Sequence, residues 1–366
     1  MVMIYDDVDS IEELVAKHDR IYLYGGGASC KLLMQSYWED VLKGHVEAIV
    51  DANDRIRGAV IPKDDGVKVI SIDDFKCTTA GKNEKVTMLL TPAFSAGIVE
   101  FLDGFPELDG ISVYLFPLIC NRRAHGDFPY RSEEREFIPR RIHYFWIGNK
   151  PMPESYQRNI EKWRRLCPDY EVKCWNEENY DFSKIPYLKR AFEVGGEALM
   201  FATDYARMDV LYRYGGIYMD TDVEMIKRPD EILYNKAFIG IEENGQVNSG
   251  SGMGTMQGHP MIRALMDAYE TLDADDYGKD RGFAFNTFHE TGCFIEHGFR
   301  MKNAYQVVED VACFPKDVFM PLSLAGMEDC FTEKTVFNHR INPEHRKRNQ
   351  HSYNVWKHRV IRQVDI

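Results

Sequence analysis

Ala202-Thr203-Asp204-Tyr205-Ala206-Arg207-Met208-Asp209-Val210-Leu211-Tyr212-Arg213-Tyr214-Gly215-Gly216-Ile217-Tyr218-Met219-Asp220-Thr221-Asp222 is the stretch on which the fold turns. Tyr205, Met208, Leu211 and Tyr212 recur at helical spacing, so its first half reads as a helix with an apolar stripe. Gly215-Gly216 ends that helix where glycine is favoured, and Ile217-Tyr218-Met219 reads as a short buried strand ending in Asp-Thr-Asp. On an extended backbone Asp220 and Asp222 point to the same side, where two carboxylates repel unless a cation lies between them. A hard divalent ion, Mg²⁺ or Mn²⁺, suits such oxygen ligands and bridges readily to phosphates. An isolated Asp-x-Asp is also an ordinary turn. Asp204 and Arg207, three apart, are neighbours on the helix, either as functional groups or as a surface ion pair of little energetic weight.

Two further blocks accompany this run. Ile138-Pro139-Arg140-Arg141-Ile142-His143-Tyr144-Phe145-Trp146-Ile147-Gly148 reads as a strand, and Trp163 to Asn176 as a helix, a Pro-containing turn and a second strand. Together with Asp204-Tyr-Ala-Arg207 and the run from Leu211 to Asp222, they resemble the DXD-containing sugar transferases of glycosyltransferase family 32, often encoded for capsule or lipopolysaccharide assembly. The resemblance runs from residue 138 to residue 353 and leaves out the first 120 or so. It implies a GT-A fold, an α/β sandwich around a mainly parallel sheet, and use of a nucleotide sugar with retention of anomeric configuration. It also implies that Trp146 stacks on the nucleobase, that Asp204 and Arg207 contact the donor sugar or its phosphate, and that Asp220 and Asp222 hold metal and ribose. The physics agrees: an aromatic face suits a flat base, Arg suits phosphate, and a metal neutralises charge developing on a leaving diphosphate. Trp146 also reads as a core strand aromatic.

Farther on the pattern departs from the family. Gln246 to Gly254 reads as a Gly-rich loop after the strand Ala237–Ile241, with Asn248 as a sugar-contacting residue by resemblance or as a plain loop residue. The family's carboxy-terminal closure is matched by Val336-Phe337-Asn338-His339-Arg340 and, after a basic insert, His351-Ser352-Tyr353. His339 is thereby expected as a further metal ligand, and Ser352 and Tyr353 as donor contacts; a lone His is also commonly structural.

The first 125 residues read as a smaller Rossmann-like α/β unit with an accessory role, 126–137 as a linker, and 138–366 as the catalytic domain with a basic tail. Ile21-Tyr22-Leu23-Tyr24, the turn Gly25-Gly26-Gly27, an apolar helix through Leu32 and Leu33, and Val46 to Asp51 outline a nucleotide-binding βαβ unit. Cys30 replaces the last glycine of that fingerprint, which favours a structural role. Strands are also expected at Val67–Ser71, Val86–Leu90 and Ser112–Phe116.

A net charge of −13 argues against nucleic acid as a general partner, although Arg340, Arg346, Lys347, Arg348, Lys357 and Arg359 make the tail basic. That tail reads as a solvated face, or as a contact for diphosphate or for an anionic membrane carrying a lipid-linked acceptor. No apolar run approaches the ~20 residues that span a bilayer, and acids replace a basic start, so the expected location is the cytoplasm or the inner membrane face. The eight cysteines contain no CxxC pair and are expected as free thiols. The leading expectation is thus a Mn²⁺- or Mg²⁺-dependent retaining glycosyltransferase. It would use a nucleotide sugar, a UDP-sugar by preference, and a saccharide or glycolipid acceptor in surface polysaccharide synthesis. The alternatives are a nicotinamide-dependent enzyme acting on sugar nucleotides and a non-catalytic sugar-nucleotide-binding protein.

Overall fold

The computed structural model describes residues 2–81, 86–92, 95–120, 127–148, 150–242, 244–272, 286–321, 331–339, 351 and 359–362. The first unit supplies β1 (Met3–Asp6), β2 (Ile21–Tyr24), β3 (Val46–Val50), β4 (Val60–Ile61), β5 (Val67–Ile70), β6 (Thr87–Leu90) and β7 (Ser112–Leu115). They run side by side in the order β1-β7-β6-β2-β3-β5-β4, and every pair except β4–β5 is parallel. The segment β5-β3-β2-β6-β7 is the strand order of a doubly wound sheet, with helices on both faces. Both faces are therefore apolar: Met88 and Leu90 pack with Phe75 and Val99, while Leu89 between them packs with Leu23, Leu33 and Ile49 on the other side.

The second unit supplies β8 (Arg141–Phe145), β9 (Glu171–Trp175), β10 (Gly216–Tyr218), β11 (Val223–Met225), β12 (Ala237–Ile241), β13 (Val247–Thr255), β14 (Gln306–Val308), β15 (Val311–Phe314) and β16 (Phe337–His339). Seven of these form one sheet in the order β14-β15-β12-β13-β10-β8-β9, and β11 pairs with β16 in a separate ribbon. The large sheet is mixed where the resemblance implies a mainly parallel one, because β13 lies antiparallel to both β10 and β12. This corrects the reading of 246–254 as a loop. Glycine is a poor strand former, but Gly250, Gly252 and Gly254 face groups that leave no room for a side chain. A Cβ at Gly254 would lie 2.3 Å from the Phe238 ring and one at Gly252 2.8 Å from the Phe337 ring.

Two segments sit differently from the sequence reading. The stretch from 127 to 137 packs on the second unit: Asn235 donates to the Tyr130 carbonyl at 2.8 Å, and Phe128 stacks on Tyr305 with ring centroids 5.6 Å apart. At the other end of the chain β17 (Val360–Arg362) adds in parallel to β1, so the tail read as part of the catalytic domain contributes an edge strand to the first sheet.

Candidate active site

The helix Leu199–Tyr214 runs beneath the second sheet and ends at Gly215, whose φ of 62° admits glycine readily. A Cβ there would meet Pro139 at 2.9 Å and Gln257 N at 3.0 Å, so the turn into β10 also leaves no space for a side chain. His143 on β8 fastens this corner. Its Nε2–H donates to the Gly215 carbonyl at 2.9 Å, and its Nδ1 accepts the Trp175 indole N–H at 3.0 Å. Burial drives His143 down to about 4, against the Gly215 bond.

β10 stops at Tyr218, and Asp220 and Asp222 lie just beyond it in a turn closed by Val223 N–H donating to the Asp220 carbonyl at 3.0 Å. The turn hangs between neighbours: Asp220 N–H donates to Gly250 O on β13 at 3.0 Å, and Asn159 donates to Thr221 O at 2.9 Å. The ribbon sets Val223 opposite His339 and so delivers the imidazole to Asp222. One ligand atom from each of Asp220, Asp222 and His339 falls within 4.8 Å of the other two. His339 Nε2 stands 3.6 Å from Asp222 Oδ1, too far for a hydrogen bond. Asp222 Oδ1 and His339 Nδ1 are both buried with no hydrogen-bond partner. Buried polar atoms are ordinarily satisfied, so orphaned donor atoms in a group of ligand geometry fit a cation. The carboxylate-dominated set suits Mg²⁺ or Mn²⁺. Burial works against the charges here, but His339 holds Asp222 below the usual carboxylate range. In turn Asp222, with Asp220 and Glu242, overcomes burial to raise His339 to about 9.

Asp204 and Arg207 are buried inside this site, which removes the surface ion-pair reading. Arg207 donates to Asp204 Oδ1 at 2.9 Å and to Ser249 Oγ at 3.2 Å, stands 3.6 Å from Asp220 Oδ1, and lies over the Tyr218 ring at 4.8 Å. Tyr218 donates its hydroxyl proton to Asp220 Oδ1 at 2.7 Å. Burial pushes Asp204 well above the carboxylate range, with Arg207 pulling the other way. For Arg207 burial opposes the charge, yet Asp220, Tyr218, Asp204 and Glu290 keep it firmly protonated.

Asn248 lies in β13, not in a loop. Its Nδ2 donates to Glu242 and its Oδ1 accepts Gly250 N–H at 2.7 Å, so its amide shapes the strand beside Asp220. Trp146 sits one residue past β8, half-buried, with its indole N–H donating to Lys150 O at 3.0 Å and Tyr156 edge-on at 6.1 Å. It packs against the core cluster of Ile142, Tyr144 and Trp163 and also lines a cavity of about 780 Å³ with Gly148, Lys150, Asn176 and Phe192. Ser352 and Tyr353 lie outside the described residues, as does the basic run from Arg340 to Arg348.

Sequence reading missed Tyr218, Ser249, Glu242 and Glu290. Tyr218 had a signal, since it shares the period-two side of Asp220. Glu290 had none: it sits on the helix Asn286–Glu296, fully buried, and receives Ser249 N–H at 2.9 Å and Ser249 Oγ–H at 2.6 Å. In the first unit Asp51 accepts Gly26 N–H at 2.6 Å and Asn53 N–H at 2.7 Å. That carboxylate thus closes the Gly26 corner of the turn, while the helix that follows starts at Gly27 with no side-chain cap.

Residues 153–239 match the family model described as "Glycosyltransferase sugar-binding region containing DXD motif". Inositol phosphoceramide mannosyltransferase 3 of Schizosaccharomyces pombe is 29% identical over 134 residues, covering 36% of this chain and 37% of that protein. Inositol phosphoceramide mannosyltransferase 1 of the same organism is 32% identical over 122 residues, covering 29% of this chain and 34% of the relative. Mannosyl phosphorylinositol ceramide synthase SUR1 of Saccharomyces cerevisiae is 28% identical over 148 residues, 40% of this chain and 38% of its own length. The chain thus spans less than two-fifths of the length of these curated relatives. A solved structure titled "PaToxG Glycosyltransferase" superposes on 46% of this chain with a TM-score of 0.36 and 17% identity.

Proposed function

We propose that this chain is a divalent-metal-dependent retaining glycosyltransferase that moves a sugar from a nucleotide sugar to a glycolipid or saccharide acceptor. The observation that carries the reading is the group Asp220, Asp222 and His339 with its orphaned Asp222 Oδ1 and His339 Nδ1, set beside the buried Asp204–Arg207 pair. Asp220, Asp222 and His339 would hold the cation, which when bound neutralises charge on the leaving diphosphate. Arg207, aligned by Asp204 and Ser249, presents a fixed guanidinium to the donor's phosphate or sugar oxygens. Trp146 offers an aromatic wall for the base at the cavity edge. The bond from the anomeric carbon to the phosphate oxygen breaks as the acceptor oxygen bonds to the same face, and the acceptor proton passes to the leaving phosphate.

A glycolipid acceptor is supported by the relatives' names, which refer to inositol phosphoceramide and to mannosyl transfer, while the sequence resemblance favours a UDP-sugar donor. A role in surface polysaccharide synthesis, action on the cytoplasmic side and peripheral membrane contact through the basic tail belong to the same proposal. No helix among the described residues is long and apolar enough to cross a membrane. The test is hydrolysis of a panel of nucleotide sugars with Mn²⁺, with Mg²⁺ and with chelator. Turnover of at least one donor, lost in chelator, restored by metal and nearly abolished in Asp222→Asn, is expected. Full turnover in chelator refutes the assignment.

A further inference from the structure

The helix Asn286–Glu296 lies between the two units and is gripped from both sides. On its inner side Glu290 takes both donors of Ser249. A serine hydroxyl has a single proton; because Ser249 spends it on Glu290, its lone pairs are left to face Arg207, whose Nη1 donates to them at 3.2 Å. Glu290 therefore decides the polarity of the hydroxyl that aligns Arg207. Without it the hydroxyl is free to turn its proton toward a guanidinium that has only protons to offer.

On the outer side the grip comes from the first unit. Gln35, on the helix Ala28–Tyr37, donates to the Gly292 carbonyl at 3.2 Å. A Cβ at Gly292 would lie 3.7 Å from Gln35 Oε1 and 3.9 Å from Leu32 Cδ2, so the helices touch and a methyl group there makes ordinary contacts. Beyond the helix the chain stays fastened. Tyr37 donates to Met301 O at 3.1 Å, Met301 N–H donates to Ser36 Oγ at 3.2 Å, Asn303 N–H donates to Cys120 O at 3.1 Å, and Arg300 pairs with Asp40. Leu32 and Leu33 of the first unit share one buried cluster with Phe294 and Ile295 of this helix and with Tyr205 and Met208 of the helix that carries Arg207. A separable accessory domain would meet its neighbour over a wetter and more polar face.

We propose that Glu290 is a positioning residue for Arg207, and that the first unit is part of the catalytic apparatus because its helix Ala28–Tyr37 holds the helix Asn286–Glu296, and with it Glu290, in register with Ser249. The inference rests on the functional reading above for what Arg207 does, but not for where Arg207 is held.

The experiment uses the full chain in two arms. In the first, donor hydrolysis is measured in Glu290→Gln, Gly292→Ala and Gly292→Phe, each in the wild-type and in the Arg207→Lys background. Gln keeps the size of Glu but sets an amide donor against one of Ser249's two donors. Ala at 292 fits, whereas Phe wedges the helices apart. Glu290→Gln and Gly292→Phe are expected to lower kcat by about 10²-fold, the scale of a 1 Å misplacement, and Gly292→Ala by less than about twofold. In the Arg207→Lys background neither Glu290→Gln nor Gly292→Phe should lower kcat further, since both act through the group already removed. Losses that multiply in that background overturn the proposal. Gly292→Leu gives the same reading at a smaller displacement should Phe prevent folding. The second arm needs no activity: in protein labelled with ¹⁵N-arginine, the Nη resonances that vanish in Arg207→Lys should be resolved in wild type and in Gly292→Ala, and averaged in Glu290→Gln and Gly292→Phe. Resolved Nη resonances in all variants overturn the positioning role. A wild-type chain that turns over no nucleotide sugar overturns the functional reading instead, and the Nη spectra still decide the positioning.

Discussion

Gly250→Ala is the smallest change that separates the geometry of the metal site from the stability of the fold. A Cβ at 250 would lie 2.3 Å from Asp220 Oδ2, 3.0 Å from Asn248 Oδ1 and 3.1 Å from Arg207 Nη1. The second and third contacts are tight but yield by a few tenths of an ångström; the first does not, and restoring an ordinary contact moves the carboxylate by about 1 Å. Asp220 is a third exposed, so it has somewhere to go. Its swing breaks the 2.7 Å bond from Tyr218 and the 3.6 Å approach to Arg207 while leaving the apolar core untouched. The stability cost is then near the low end of overpacking, about 1 kcal/mol. The functional cost is larger, because a 1 Å error in a ligand or charge-bearing group is worth about 10²-fold in rate. Gly250 has no positive φ, so backbone strain adds nothing. Gly27→Ala, where a Cβ meets nothing within 4 Å, is the control. Mn²⁺ affinity by calorimetry, donor hydrolysis and chemical denaturation are to be measured on both. Gly250→Ala with wild-type Mn²⁺ affinity and turnover would falsify the claim that Asp220 is held by this contact, as would a loss of function matched by an equal loss of stability.

Three other outcomes are expected. Trp146→Ala should weaken binding of the free nucleoside diphosphate by roughly 1–3 kcal/mol, the weight of one base–aromatic stack; unchanged affinity in calorimetry returns Trp146 to a packing role. Product from an α-configured donor should be α-linked, since the resemblance implies retention; a β-linkage by NMR of the first product contradicts it. His143 stays neutral in the fold down to about 4, against 6.5 in the unfolded chain. The unfolded state therefore binds the extra proton between those values. The contribution is fully present above pH 6.5 and is lost as pH falls to 4, by up to about 3 kcal/mol in all. Denaturant unfolding at pH 7 and pH 4.5 should show wild type losing more stability than His143→Gln; a pH-independent gap between the two removes this account.

The site was legible in the sequence wherever the geometry is local. Three-residue spacing on a helix put Asp204 beside Arg207, and Gly215-Gly216 marked the corner before the strand; Asp220 and Asp222 come together in a turn past the end of β10 and not on the extended chain their spacing suggested. The alternation of strands and helices in the first unit was legible for the same reason, down to the Gly25-Gly26-Gly27 turn. What the sequence could not carry is what strand pairing and helix packing bring across long separations. His339 meets Asp222 only because β16 pairs with β11, and Glu290 meets Ser249 only because the helix Asn286–Glu296 packs onto β13. Turn chemistry was the natural reading of the Ser- and Gly-rich run 246–254, yet Gly250, Gly252 and Gly254 form a buried strand. Local propensity there is overruled by neighbours, since a carboxylate and two aromatic rings occupy the space a side chain would need. The tail strand β17 likewise takes its place from the open edge of β1, a partner that no pattern within residues 360–362 announces.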